Sequence, residues 1–297
     1  MRPMDHRNFL SLFAGALVGL LCILGAATPA RSTGETAGGL AAAQAAYVRG
    51  DFMIAAELAR TAQSAAGYAL AARSLLAHGD LLALPENRLE DFERAESDAR
   101  KAIELDPAFF EGHLELAVAL GLVGRERGSL AAHLAGYASE ARRHLDFVLA
   151  RDPDNVWANA LLGGWHLEIL RDGGVLGAIL YGADVGEGVA RYRHALALEP
   201  DNGVIPYQFA LQLFAAGGES YEQEARALLT RLLETTPRNA VEILTRERAA
   251  RLLLAAETGR RDHIEDILSG HMGPRSEPEE KAGRWRNDPR PLIGLPR

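Results

Sequence analysis

The residues of this chain with chemical potential are nine histidines, a run of glycines and a single cysteine. Metal binding would need ligands at converging spacings, such as two histidines one helical turn apart around a glutamate. His78, His113, His133, His144, His166, His194, His263 and His271 are scattered instead. His166 and Glu168, two residues apart, diverge on any helix. Gly177 and Gly182 have the spacing of a phosphate loop, but Ala183 and Asp184 follow where Lys and Ser or Thr are required. Gly186-x-Gly188 is followed three residues later by Arg191 rather than glycine, and no strand pattern precedes it, which removes a dinucleotide fingerprint. The serine-nucleophile pattern G-x-S-x-G does not occur. Cys22 sits inside an apolar N-terminal run. No catalytic, cofactor-binding or metal-ligating set emerges. The chemistry expected is non-covalent recognition, with no cofactor and no enzymatic activity.

Recognition needs a surface, and four proline-marked segments indicate the elements that build it. They are AIELDP ending at Pro107, VLARDP at Pro153, ALALEP at Pro200 and LLETTP at Pro237. Twelve residues before each proline stand Ala95, Ala141, Gly188 and Ala225; eight before, Ala99, Leu145, Tyr192 and Leu229; five before, Ala102, Val148, Ala195 and Leu232. Small, bulky and apolar residues at spacings of four and three form one packing face of a helix. The same face written four times predicts a helical solenoid. Alanine and leucine are abundant and alternating strand segments are absent, so the fold class expected is all-α.

The pattern resembles the tetratricopeptide repeat, most closely at Tyr192, Ala195 and Pro200. Leu116-Ala117, Leu162-Gly163 and Phe209-Ala210 stand where that family carries a leucine and a small residue on the first helix of each unit. Gly50, Phe52, Ala55, Ala59 and Ala62 match the turn and second helix of an earlier unit. The resemblance implies a right-handed α-solenoid of antiparallel helix pairs, about five to six repeats, over residues 38–272. It makes Ala95, Ala102, Ala141, Gly163, Gly188, Tyr192, Ala195 and Ala225 structural repeat positions.

It also implies a function. In that family the first helices line a concave groove that binds a protein or peptide partner. Glu111, Leu114, Trp157, Ala160, Gly164, Glu168, Tyr207, Gln208, Leu211 and Phe214 fall at groove-facing positions. Trp157 and Tyr207 would serve as aromatic anchors, and Glu111 and Glu168 would make the groove acidic. Trp165, beside core positions, is expected to pack internally.

Two units are longer than the family's. The proline spacings are 46, 47 and 37, against a unit of about 34. One excess, RERGSLAAHLAGYASEA, is compatible with a lengthened helix. The other, RDGGVLGAILYGADVGEG, carries six glycines from Gly173 to Gly188, which disfavour a regular helix across it. Its apolar VLGAILYG core would either cap a repeat edge as a short helix or stand exposed. This insertion is similar to one in periplasmic tetratricopeptide proteins associated with TRAP-type solute transporters. That likeness implies an alternative role as a small-molecule-binding component.

Arg2, His6 and Arg7 precede the apolar run from Phe9 to Ala27, and ATPARS follows. The order is that of a secretory signal peptide (residues 1–30) cleaved after Ala30 or Ala27. The alternative is an uncleaved anchor holding the protein to the membrane on the periplasmic side. Leu21 before Cys22 argues against lipidation. A periplasmic location is therefore expected, with residues 31–37 as a linker. Removing residues 1–30 would take Cys22 with it and leave no disulfide or thiol chemistry. The net charge of −8 argues against nucleic acid as a partner. The last pair, over NAVEILTRERAARLLLAAETG and RDHIEDILSGHM, is expected as the polar cap of the solenoid. Residues 273–297, rich in proline, read as a disordered or loosely docked tail.

Overall fold

The structure, a computed structural model, describes residues 33–273; the expected signal peptide and nearly all of the expected tail lie outside the described residues. Thirteen α-helices fill this span, and no strand occurs among the described residues. They form six helix pairs: α1 (Thr33–Arg49) with α2 (Phe52–Thr61), α3 (Ala65–Leu81) with α4 (Arg88–Leu105), and α5 (Phe110–Arg127) with α7 (Tyr137–Leu149). Then follow α8 (Val156–Tyr181) with α9 (Val185–Leu198), α10 (Ile205–Ala216) with α11 (Glu219–Glu234), and α12 (Ala240–Glu257) with α13 (Arg261–Met272). A short α6 (Ser129–Ala135) is inserted in the third pair, and a 3₁₀ turn (Pro85–Asn87) precedes α4.

Local signals start and stop these helices. Ser64, Asn155, Asp184 and Asn239 cap α3, α8, α9 and α12, each side-chain oxygen accepting from the backbone N–H three residues on. The repeated face packs as its spacing predicts. Ala95, Ala99 and Ala102 of α4, Ala141, Leu145 and Val148 of α7, Gly188, Tyr192 and Ala195 of α9, and Ala225, Leu229 and Leu232 of α11 are all buried.

The tightest contact lies between α8 and α9. A methyl group at Gly163 would stand 2.8 Å from Tyr192 Cδ2 and 2.9 Å from the Gly188 carbonyl oxygen. Gly164 leaves the same clearance beneath the Tyr192 hydroxyl, and the Tyr192 ring stacks on Phe209 at 4.7 Å. Glycine on both helices lets a tyrosine lie flat between the fourth and fifth pairs.

Both insertions depart from expectation. The third-unit insertion does not lengthen a helix: Gly128 (φ +86) and Gly136 (φ +71) break the chain on either side of α6. The glycine-rich fourth-unit segment is mostly helical. α8 continues to Tyr181 with one break, at Gly174 (φ +53, ψ −143), because Leu170, Gly177, Ala178 and Ala183 bury a small apolar face there.

The sixth pair is not a polar end cap. It turns back across the inner face of the solenoid. α12 lies against α1 and α3 as well as α10 and α11. Gly50 (φ +92) makes room for Ala240, whose Cβ would be 2.9 Å from a side chain there. Ala240, Val241 and Leu244 pack on the core of the first pairs, while Ala249, Leu252, Leu253 and Ala256 belong to the core of the later ones. Arg248 closes the ring, its Nη1 donating to Asp80 Oδ2 at 2.7 Å.

Candidate interaction surfaces

The concave face is where the fold puts the first helices, and the chain itself occupies much of it. Tyr207, Leu114, Leu211, Phe214, Ala160 and Gly164 are buried. Tyr207 is 1% exposed, its ring meeting His271 of α13 edge-on at 5.9 Å. It is a core residue in this conformation and not a free anchor, because α12 and α13 cover α10. Trp157 is half-buried where the two main cores meet, packed against both. Glu111 is half-buried and Gln208 exposed. Glu168 is half-buried and internally satisfied: its Oε1 accepts from Arg125 Nη2 and from Gln212 Nε2, both at 3.2 Å. The free acidic groove expected from Glu111 and Glu168 is thereby reduced at Glu168. Deeper in, Glu115 pairs with Arg73 at 2.6 Å, and burial raises its carboxyl pKa against that pull.

What holds the last pair in place was not expected from sequence. Three arginines from three separate pairs converge on the C-terminal carbonyls of α13. Arg88 Nη1 donates to the Gly270 carbonyl at 3.3 Å and Arg125 Nη1 to the His271 carbonyl at 2.6 Å. Arg171 donates through Nη2 to the Met272 carbonyl and through Nη1 to Gly273 at 3.4 Å. Cations there satisfy the unpaired carbonyls of the last turn and the negative end of the helix dipole.

The two insertions meet on one edge of the solenoid. The His133 Nδ1 and the Tyr181 hydroxyl hydrogen-bond, joining α6 to the end of α8. Tyr181 lies edge-on to Trp165 at 6.4 Å. Trp165 is internal as expected: its Nε1 donates to the Ala138 carbonyl at 2.8 Å, and Arg142 covers its ring at 5.1 Å. His166 is buried beside it, accepting at Nδ1 from the Asp184 N–H at 3.1 Å; burial lowers its pKa. This layer supports a lobe whose outer face is aliphatic. Val175, Leu176, Ile179 and Leu180, spaced to share one side of the last turns of α8, are 57%, 74%, 67% and 58% exposed. Leu134 of α6 is 78% exposed. The sequence signal for this lobe was the apolar VLGAILYG run; Leu134 carried none.

Titratable clusters elsewhere are structural. His113 stacks on Phe147 at 4.1 Å, its Nδ1 lies 2.8 Å from His144 Nδ1, and its Nε2 bonds the Pro107 carbonyl at 3.0 Å. Burial, together with the charge of His113, lowers the pKa of His144 to about 4. Among the described residues no three His, Cys, Asp or Glu side chains group as metal ligands would. No described helix is long and apolar enough to cross a membrane.

No known family profile and no curated protein matches this chain. Among solved structures, the crystal structure of a thermophilic TPR protein from Thermus thermophilus aligns with a TM-score of 0.53. It covers 72% of this chain and 98% of its own, at 20% sequence identity. The fold is that of a tetratricopeptide solenoid.

Proposed function

We propose that this tetratricopeptide-like solenoid is a protein-interaction scaffold of the cell envelope, and that it engages its partner through the aliphatic lobe. The observation that carries the reading is the exposed face of Val175, Leu176, Ile179 and Leu180, with exposed Leu134 on α6, which the His133–Tyr181 hydrogen bond joins to the end of α8. Soluble monomers rarely expose contiguous apolar patches of more than a few hundred Å², and larger ones mark interaction sites. This patch stands on a firm base of buried Leu170, Ala178 and Ala183, so it is not a loose loop. The partner it fits is a protein that offers an aliphatic helix face or groove. The concave face contributes what the last pair leaves accessible, Trp157, Glu111 and Gln208. Export rests on the N-terminal apolar run from Phe9 to Ala27 and the Ala-x-Ala-like sites after it.

The test is crosslinked capture from envelope extract with the full-length chain, compared across variants. Leu176→Glu with Ile179→Glu adds charge to exposed positions, so the fold should hold within about 0.5 kcal/mol per site. Capture of the main partner should fall at least tenfold, while Arg143→Ala, at an exposed position of α7 outside the aliphatic face, leaves it unchanged. Wild-type capture by the folded double variant would refute the lobe as the docking face.

A further inference from the structure

At the seam where the solenoid closes, α3, α12 and α13 leave a cleft of about 280 Å³ lined by Leu81, Arg248, Arg251, Ile267 and His271. Two observations distinguish it from a gap between helices.

The first is charge. Arg251 is exposed on the cleft wall and forms no hydrogen bond or ion pair among the described residues. Arg248 is tied to Asp80. Arg88, anchored on the Gly270 carbonyl, has a buried Nε without a partner. The charges acting on His271 are Arg248, Arg88 and Arg125 against the single carboxylate of Asp80, and burial with these cations holds the imidazole neutral. In a chain of net charge −8 this is a local excess of positive charge.

The second is an apolar wall formed by Leu81 and Ile267.

We propose that this cleft binds a small aliphatic carboxylate. Arg251 holds the carboxylate, Arg248 adds positive charge beside it, and the aliphatic chain lies on Leu81 and Ile267. At about 30 Å³ for each water-sized group, the volume accommodates roughly nine non-hydrogen atoms. Guanidinium groups match a carboxylate in geometry as well as charge. The apolar wall is what separates this ligand from an inorganic anion.

Hexanoate serves as the probe, titrated into the full-length protein by calorimetry beside 1-hexanol, hexylamine and inorganic phosphate. Hexanoate should bind, with the alcohol and amine silent and phosphate at least tenfold weaker. Arg251→Ala removes an exposed side chain with no structural partner and should weaken hexanoate tenfold or more, the loss expected for a charge-assisted contact. Arg143→Ala should bind as the parent does. Absence of hexanoate binding overturns the proposal, as does parent-like binding by Arg251→Ala. Phosphate binding as tight as hexanoate overturns the carboxylate assignment.

Discussion

Gly163→Ala is the sharpest probe of the packing that sets the repeat. The added methyl would sit 2.8 Å from Tyr192 Cδ2 and 2.9 Å from the Gly188 carbonyl oxygen. Neither neighbour can yield. The tyrosine ring is 5% exposed and stacked at 4.7 Å on the fully buried Phe209, and the oxygen is α9 backbone. α8 and α9 must therefore separate, an overpacking loss of about 1–3 kcal/mol. Alanine's better helix propensity returns about 1 kcal/mol, leaving a net loss of up to about 2 kcal/mol. Gly121 in α5 is the internal control, because a methyl there meets nothing within 4 Å. Gly121→Ala should stabilise by up to about 1 kcal/mol. One substitution thus has opposite signs at two sites, which urea denaturation followed by circular dichroism resolves. At about 2–4 °C per kcal/mol for a domain of this size, Gly163→Ala should melt up to several degrees below the parent and Gly121→Ala slightly above it. Equal shifts at the two sites would refute the close approach of α8 and α9.

Two further outcomes follow from the geometry. His144, with its pKa lowered to about 4 by burial and His113, takes up a proton more readily unfolded than folded; stability is full above about pH 6.5 and is lost as pH falls toward 4. His113, His166 and His271 shift the same way, so the denaturation midpoint should drop across that window and His144→Gln should flatten the slope; an unchanged slope would remove the histidine pair as a contributor. Removing two of the arginines that cap α13, with Arg125→Ala and Arg171→Ala, should loosen the last helix by about 1–2 kcal/mol. Hydrogen exchange of α13 amides should then quicken about tenfold or more while α3 and α4 stay protected; unaltered α13 protection would show that apolar packing alone holds the closure.

The sequence by itself determined the repeat: helix type, the pairing of helices, and the burial of Ala95, Ala102, Ala141, Gly163, Gly188, Tyr192, Ala195 and Ala225. A helix face is written at spacings of three and four, and each residue needs only its own turn to declare which side it faces. The apolar character of residues 175–180 was legible for the same reason. Only the tertiary structure decided where the ends of the solenoid go. Arg248 meets Asp80, and Arg125 the carbonyl of His271, across separations of 168 and 146 residues. Solenoid curvature is the sum of small rotations at each repeat interface, and no local pattern records that sum. That is why Tyr207 is groove-facing by register yet buried under α13, and why α6 and the end of α8, read apart as a longer helix and a glycine-rich segment, come together as one lobe.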